Sequence, residues 1–218
     1  MKEKIIFKKK WDYENGFYLT SDKSRLQKII THYEIFKKTR KVRGDIIEFG
    51  VFKGNSLIRF ATYRDIFKSN KKIIGFDAFG RFPIQNNKND NKFIKKFEKE
   101  SGIGISLNNL KSFLNKKKLK NILLYKGNIE TTIEEFLKEN KLLKISFLHI
   151  DVDVYQPTKI ILEKLFDKVS RNGIILFDDY SVIEGETKAV DEFLKKKNIK
   201  NKLKRIPYTK GPYYLVKS

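Results

Sequence analysis

Cysteine is absent from this 218-residue chain, and histidine occurs only at His32 and His149. The first absence excludes disulfides, thiolate metal ligands and a cysteine nucleophile. The two together make a nitrogen- or sulfur-rich zinc site a poor fit. Long apolar runs are missing as well. No stretch approaches the ~20 apolar residues of a membrane span. The start, MKEKIIFKKKW, offers only Ile5–Phe7 where a secretory signal needs about 7–15 apolar residues. The expectation is therefore a cytoplasmic chain with no membrane segment. Two glycine signatures are also lacking: there is no GxGxxG dinucleotide fingerprint and no GK[ST] phosphate loop.

Basic residues are abundant. The chain carries 48 Lys+Arg against 26 Asp+Glu, a net charge of +22. One reading is a polyanionic partner such as nucleic acid. The other is compositional, because the excess is mostly lysine and comes with many Asn and Ile, as in a chain from an AT-rich genome. The second is favoured. The charge is spread through Lys8–Lys10, Lys37–Arg43, Lys116–Lys120 and Lys195–Lys204, and no aromatic RNA-binding motif interrupts it.

The pattern along the chain alternates strand and helix. Ser21 or Asp22 is positioned to cap a helix whose spacing predicts a packed face of Leu26, Ile29, Ile30, Tyr33 and Phe36, ending near Gly44. Buried-type strands follow at Asp45–Val51, Lys72–Phe79, Asn121–Gly127, Ile145–Asp153 and Gly173–Tyr180. Helices are expected at Ser56–Ile66, Thr131–Asn140, Pro157–Val169 and Glu186–Lys197. The segment 80–120 is a lysine-rich insertion with two helical stretches, around Phe93–Lys99 and Leu107–Lys117. It fits either a lid or a solvated excursion. The last two strands, Leu203–Tyr208 and Tyr213–Lys217, are too close for a crossover and must form an antiparallel hairpin. The fold class is α/β, a doubly wound, mostly parallel seven-stranded sheet closed by that hairpin. It forms a single domain, 1–218, with an N-terminal helical segment 1–44 and the lid-like insertion.

Ligands of such sheets bind beyond the carboxyl ends of the strands, so those ends hold the candidates. The first strand ends EFGVFKGNS, where Gly50 and Gly54 permit close backbone approach and Glu48 precedes the turn. The second ends at Asp77, suited to accept hydrogen bonds from a ribose or to cap a loop. The fourth and fifth end HIDVDVYQPT and FDDY. Asp151 and Asp153 lie two apart on an extended chain, and Asp178 and Asp179 end the adjacent strand. Four such carboxylates repel one another, and a hard divalent cation is the simplest resolution. Helix capping would account for one aspartate, but poorly for four.

Taken together, IIEFGVFKGNS, GFDAFGRFP, FLHIDVDVYQPT and ILFDDY resemble the macrocin O-methyltransferase (TylF-like) family of class I S-adenosylmethionine-dependent methyltransferases. The resemblance implies Mg²⁺-dependent methylation of a hydroxyl, typically on a sugar of a glycosylated small molecule. It implies that Glu48, Gly50, Gly54, Ser56 and Asp77 position S-adenosylmethionine, with Glu48 facing its amino acid part and Asn128 and Ile129 near the adenine. It implies Asp151, Asp178 and Asp179 as metal ligands and Asp153 as general base. His149 reads as structural or supporting, and Phe79, Phe82 and Pro83 as residues shaping the acceptor pocket. A homodimer is expected by analogy. The competing readings are an RNA or other polyanion methyltransferase, a non-catalytic cofactor-binding module, and a nicotinamide-dependent oxidoreductase. The missing GxGxxG and the closing hairpin disfavour the last.

Overall fold

A computed structural model describes residues 9–199 and 203–218. The short apolar run Ile5–Phe7, and parts of the first and last lysine-rich runs, lie outside the described residues. Two helices open the chain, α1 (Lys10–Thr20) and α2 (Lys23–Thr39). The α/β alternation follows: β1 (Asp45–Phe49), α3 (Asn55–Ile66) and β2 (Ile73–Asp77), then α4 (Lys88–Ser101), α5 (Leu107–Lys116) and β3 (Ile122–Lys126). Next come α6 (Ile129–Glu139), β4 (Ile145–Ile150), α7 (Tyr155–Leu165), β5 (Val169–Phe177), α8 (Glu184–Lys196), β6 (Lys204–Arg205) and β7 (Tyr213–Val216).

The strands form one sheet in the order β3-β2-β1-β4-β5-β7-β6. The first five are parallel, and β7 runs antiparallel to both β5 and β6. Winding reverses direction between β1 and β4, and a crevice opens at such a switch point. Register then sets the site. Phe49 pairs with Phe76 and Ile150, and Ile150 pairs with Phe177. The next residue of each strand, namely Asp77, Gly50, Asp151 and Asp178, therefore arrives at one level above the crevice.

Strand alternation divides the core into two. Ile47, Phe49, Phe76, Leu148, Ile150 and Phe177 pack with Phe136, Ile161 and Val190 from α6, α7 and α8. Ile46, Phe147, Ile174 and Leu176 pack with Ile35, Leu57, Phe60 and Leu110 from α2, α3 and α5. Glu48, His149 and Asp178 share the parity of the second set, so three ionisable side chains are directed under α2 and α3.

Several sequence expectations are corrected. Asp22 does cap α2, its Oδ1 accepting from Ser24 N at 2.8 Å. The buried face of α2, however, is Thr31, His32, Ile35, Phe36 and Thr39, while Leu26, Ile30 and Tyr33 are exposed. The face turned to the sheet includes the polar His32, whose Nε2 lies 3.6 Å from Asp178 Oδ1 just beyond β5, and hydrophobic periodicity does not register such a residue. The helix also ends at Thr39, short of Gly44. The helical stretch expected around Phe93–Lys99 starts earlier, at Lys88, because Asn87 caps α4 by accepting from Asn89 N at 2.8 Å. The closing hairpin forms, but β6 is only two residues long.

Candidate active site

The carboxyl ends of the strands enclose a cavity of about 750 Å³, within the range of ~300–1,000 Å³ typical of small-molecule sites. One half is the loop after β1. Gly50 has φ +87°, and a Cβ there would lie 1.7 Å from the Asp151 carbonyl oxygen. The chain passes so close to the end of β4 that only glycine fits. Gly54, at φ +83°, is the N-cap of α3 and lies against Leu110. Asp77 ties the loop down: its Oδ2 accepts from Phe52 N at 2.9 Å and its Oδ1 from Phe79 N at 2.6 Å. Burial pushes its pKa upward. Asn128 caps α6 by accepting from Glu130 N at 2.9 Å. Gly50, Ser56, Asp77, Asn128 and Ile129 all line the cavity.

Glu48 and Gly54 are not among the lining residues. Glu48 is fully buried, and its Oε1 meets His149 Nδ1 at 3.1 Å instead of facing the crevice. Phe79 is likewise turned away, into the core with Leu110 and Leu114, whereas Phe82 and Pro83 do line the cavity.

The other half is the carboxylate cluster. Asp151, Asp153, Asp178 and Asp179 all border the cavity. Asp153 has φ +63°, and Val154 N donates to Val152 O at 2.6 Å across it, closing a γ-turn. Such a turn is strained for a non-glycine residue. It brings the Asp153 side chain beside Asp179. Ligand-type oxygens of Asp151, Asp153 and Asp179 come within 4.8 Å of one another. Burial and the neighbouring carboxylates raise Asp151 to about 7 and Asp179 to about 11.

Asp178 behaves in the opposite way. Although burial opposes its ionisation, the Lys28 ammonium and two histidines hold it well below the usual carboxylate range. Lys28 Nζ donates to its Oδ2, while His149 Nε2 lies 3.2 Å and His32 Nε2 3.6 Å from its Oδ1. His149 thus bridges Glu48 and Asp178 at the centre of the molecule. Burial alone would depress it, but those two carboxylates raise it to about 10, the imidazolium form. Burial takes His32 down to about 3, and as a neutral ring it accepts from Arg59 Nη1 at its Nδ1, 2.8 Å away.

Lys28, His32, Arg59 and Glu186 are absent from the sequence-based list. Lys28 and His32 stand four apart on α2 and so share one face, which is the only signal that could have joined them. Glu186, fully buried at the start of α8, accepts from Asp179 N at 3.2 Å, and its backbone N–H donates to Asp153 O at 3.1 Å.

The insertion folds back over the same cavity. Gly104 N donates to Gly80 O at 2.8 Å, and Ile105 N to Phe52 O at 2.8 Å. Glu98 accepts from Phe82 N and from Arg81, each at 2.9 Å. Arg81, Phe82, Pro83 and Ile84 thereby form a wall facing the strand ends.

A doubly wound sheet in this order, closed by an antiparallel hairpin and carrying its crevice at the β1/β4 switch point, defines a class I methyltransferase fold. Known structures of that class superpose on it. The O-methyltransferase NovP does so with a TM-score of 0.76 at 20% identity, over 88% of this chain and 80% of that one. CalS11, a calicheamicin methyltransferase, gives 0.70 at 22% identity, over 95% and 85%. An apo structure of CalS11, described as a TDP-rhamnose 3'-O-methyltransferase, gives 0.68 at 22% identity, over 95% and 86%. No curated protein sequence matches the chain. The family model for macrocin O-methyltransferase (TylF) matches residues 14–214, and the chain belongs to that family.

Proposed function

We propose that the protein transfers the methyl group of S-adenosylmethionine to a hydroxyl of a sugar, free or attached to a small molecule. The observation that carries this reading is the placement, in one cavity, of a nucleoside-type cradle (Gly50, Asp77, Asn128) beside the carboxylates Asp151, Asp153 and Asp179. The cradle suits an adenosine-bearing donor, and the carboxylates suit removal of a hydroxyl proton. Family membership supports methyl transfer to oxygen. The wall of Arg81, Phe82, Pro83 and Ile84 bounds the space left for an acceptor.

The residues present fit a divalent cation. Burial raises both Asp151 and Asp179, with Asp178 adding to it at Asp151 and Asp151 and Asp178 adding to it at Asp179, so full ionisation of the cluster is opposed and added positive charge favours it. The donor set is all oxygen, which suits Mg²⁺ and not a softer ion. Asp151 and Asp179 would hold it, with Asp178 as the third carboxylate. Once bound, such an ion lowers the pKa of a coordinated hydroxyl.

The chain's own residues supply the rest. Asp77 and the Gly50 turn orient the donor, and orientation is the larger part of catalysis when the methyl group is already activated as a sulfonium. The γ-turn holds Asp153 on the acceptor side, where its carboxylate receives the hydroxyl proton. Glu186 and the His149 bridge fix the strand ends that carry these groups.

Calorimetry with S-adenosylhomocysteine, followed by methyl transfer to a panel of sugars and nucleoside-diphosphate sugars before and after EDTA, tests this reading. Cofactor binding, with transfer that EDTA abolishes and Mg²⁺ restores, is expected. Absence of cofactor binding would sink the donor assignment, and full activity after complete chelation would remove the cation.

A further inference from the structure

Lys28 projects from α2 into the carboxylate cluster. Its Nζ donates to Asp178 Oδ2 and lies 3.7 Å from Asp151 Oδ2. It therefore joins the ends of β4 and β5, the place from which a single divalent ion would have to reach those same two carboxylates. An ammonium and a divalent ion held there together would be a few ångströms apart with little water between them, which Coulomb repulsion opposes strongly. Lys28 also has room to leave. It lines the cavity wall, and its side chain is 29% exposed, against 3% for Asp178. A four-carbon stem is long enough to carry its charged end toward solvent.

We infer that Lys28 is the resident counter-cation of the metal-free site, and that a divalent cation binds by displacing its ammonium from Asp151 and Asp178. The inference rests on the cation reading above and goes beyond it in assigning a competitor built into the chain. It also gives α2 a part in loading: the helix that supplies Lys28 contributes Arg25 and Lys28 to the cavity wall, so cation binding and the shape of that wall are coupled.

The probe is Mn²⁺ alone, titrated into the parent protein and into Lys28→Met, with cofactor absent. Lys28→Met is expected to bind Mn²⁺ at least about tenfold more tightly, because the competing charge is gone. Crystals of the parent protein soaked in Mn²⁺ are expected to show the ion on Asp151, with Lys28 Nζ out of hydrogen-bond range of both aspartates. This second measurement decides the matter if Lys28→Met does not fold. Equal or weaker Mn²⁺ affinity in a folded Lys28→Met overturns the displacement, as does an ion bound while Nζ still rests on Asp178. Either result leaves the cation reading standing. Failure of both proteins to take up Mn²⁺ overturns that reading and this inference together.

Discussion

Gly50→Ala places a methyl group where the chain leaves none. A Cβ at this position would meet the Asp151 carbonyl oxygen at 1.7 Å, and contacts under 3.0 Å essentially never occur. The end of β1 and the end of β4 must therefore part by about 1.3 Å. That movement breaks the Asp151 N–H to Phe49 O bond, now 2.9 Å. Losing one buried backbone bond costs about 1–3 kcal/mol, and a left-handed φ on a residue with a Cβ adds about 1–2 kcal/mol. The total is roughly 2–5 kcal/mol, which for a chain of this size lowers Tm by roughly 4–20 °C. Scanning calorimetry reads the shift, and titration with S-adenosylhomocysteine reads the accompanying damage to the cradle. Gly80→Ala is the control, since nothing lies within 4 Å of its Cβ position. It is expected to melt within a few degrees of the parent. A Gly50→Ala protein that melts with the control and binds cofactor like the parent would refute the close-approach argument.

Other substitutions separate further parts of the argument. Asp153→Asn should still bind cofactor and Mn²⁺ but lose about 10²–10⁴-fold in kcat, the usual worth of a positioned base; full activity in single-turnover assays would remove Asp153 from proton transfer. His149→Ala leaves Glu48 and Asp178 buried without the group that bridges them. It should cost about 3–5 kcal/mol in urea unfolding, and a loss below 1 kcal/mol would show that the bridge is not structural. Glu98→Ala removes the acceptor of Phe82 N and Arg81. It should speed amide exchange over residues 80–92 and raise KM for the acceptor more than it lowers kcat; unchanged exchange there would mean that the wall is held by other contacts.

The elements that carry the site were legible because each has a local signature. Asp45–Phe49 and Ile145–Ile150 are short apolar runs, and both strands appear where those runs lie. The boundaries drifted where turn chemistry overrides the run: Asp77 accepts from its own following loop and stops β2 two residues before Phe79. The same turn carries Phe79, whose backbone at φ +50° leaves its ring in the core. The first-strand motif speaks for the loop and not for what lies opposite the Glu48 carboxylate. His149 meets it from 101 positions away.

By itself the sequence determined the strand and helix alternation, the closing hairpin and the row of aspartates at the strand ends. Those features follow from periodicity, chain length between strands and residue type, all of which act over a few residues. Tertiary structure alone decided how the aspartates divide. Asp178 is 150 positions from Lys28, yet it is drawn to that ammonium and to two histidines, while Asp151, Asp153 and Asp179 converge on the cavity. The division depends on the parity of β5 and the rotation of α2, which bring distant charges within a few ångströms in a largely buried place, where Coulomb interactions are stronger than in bulk water.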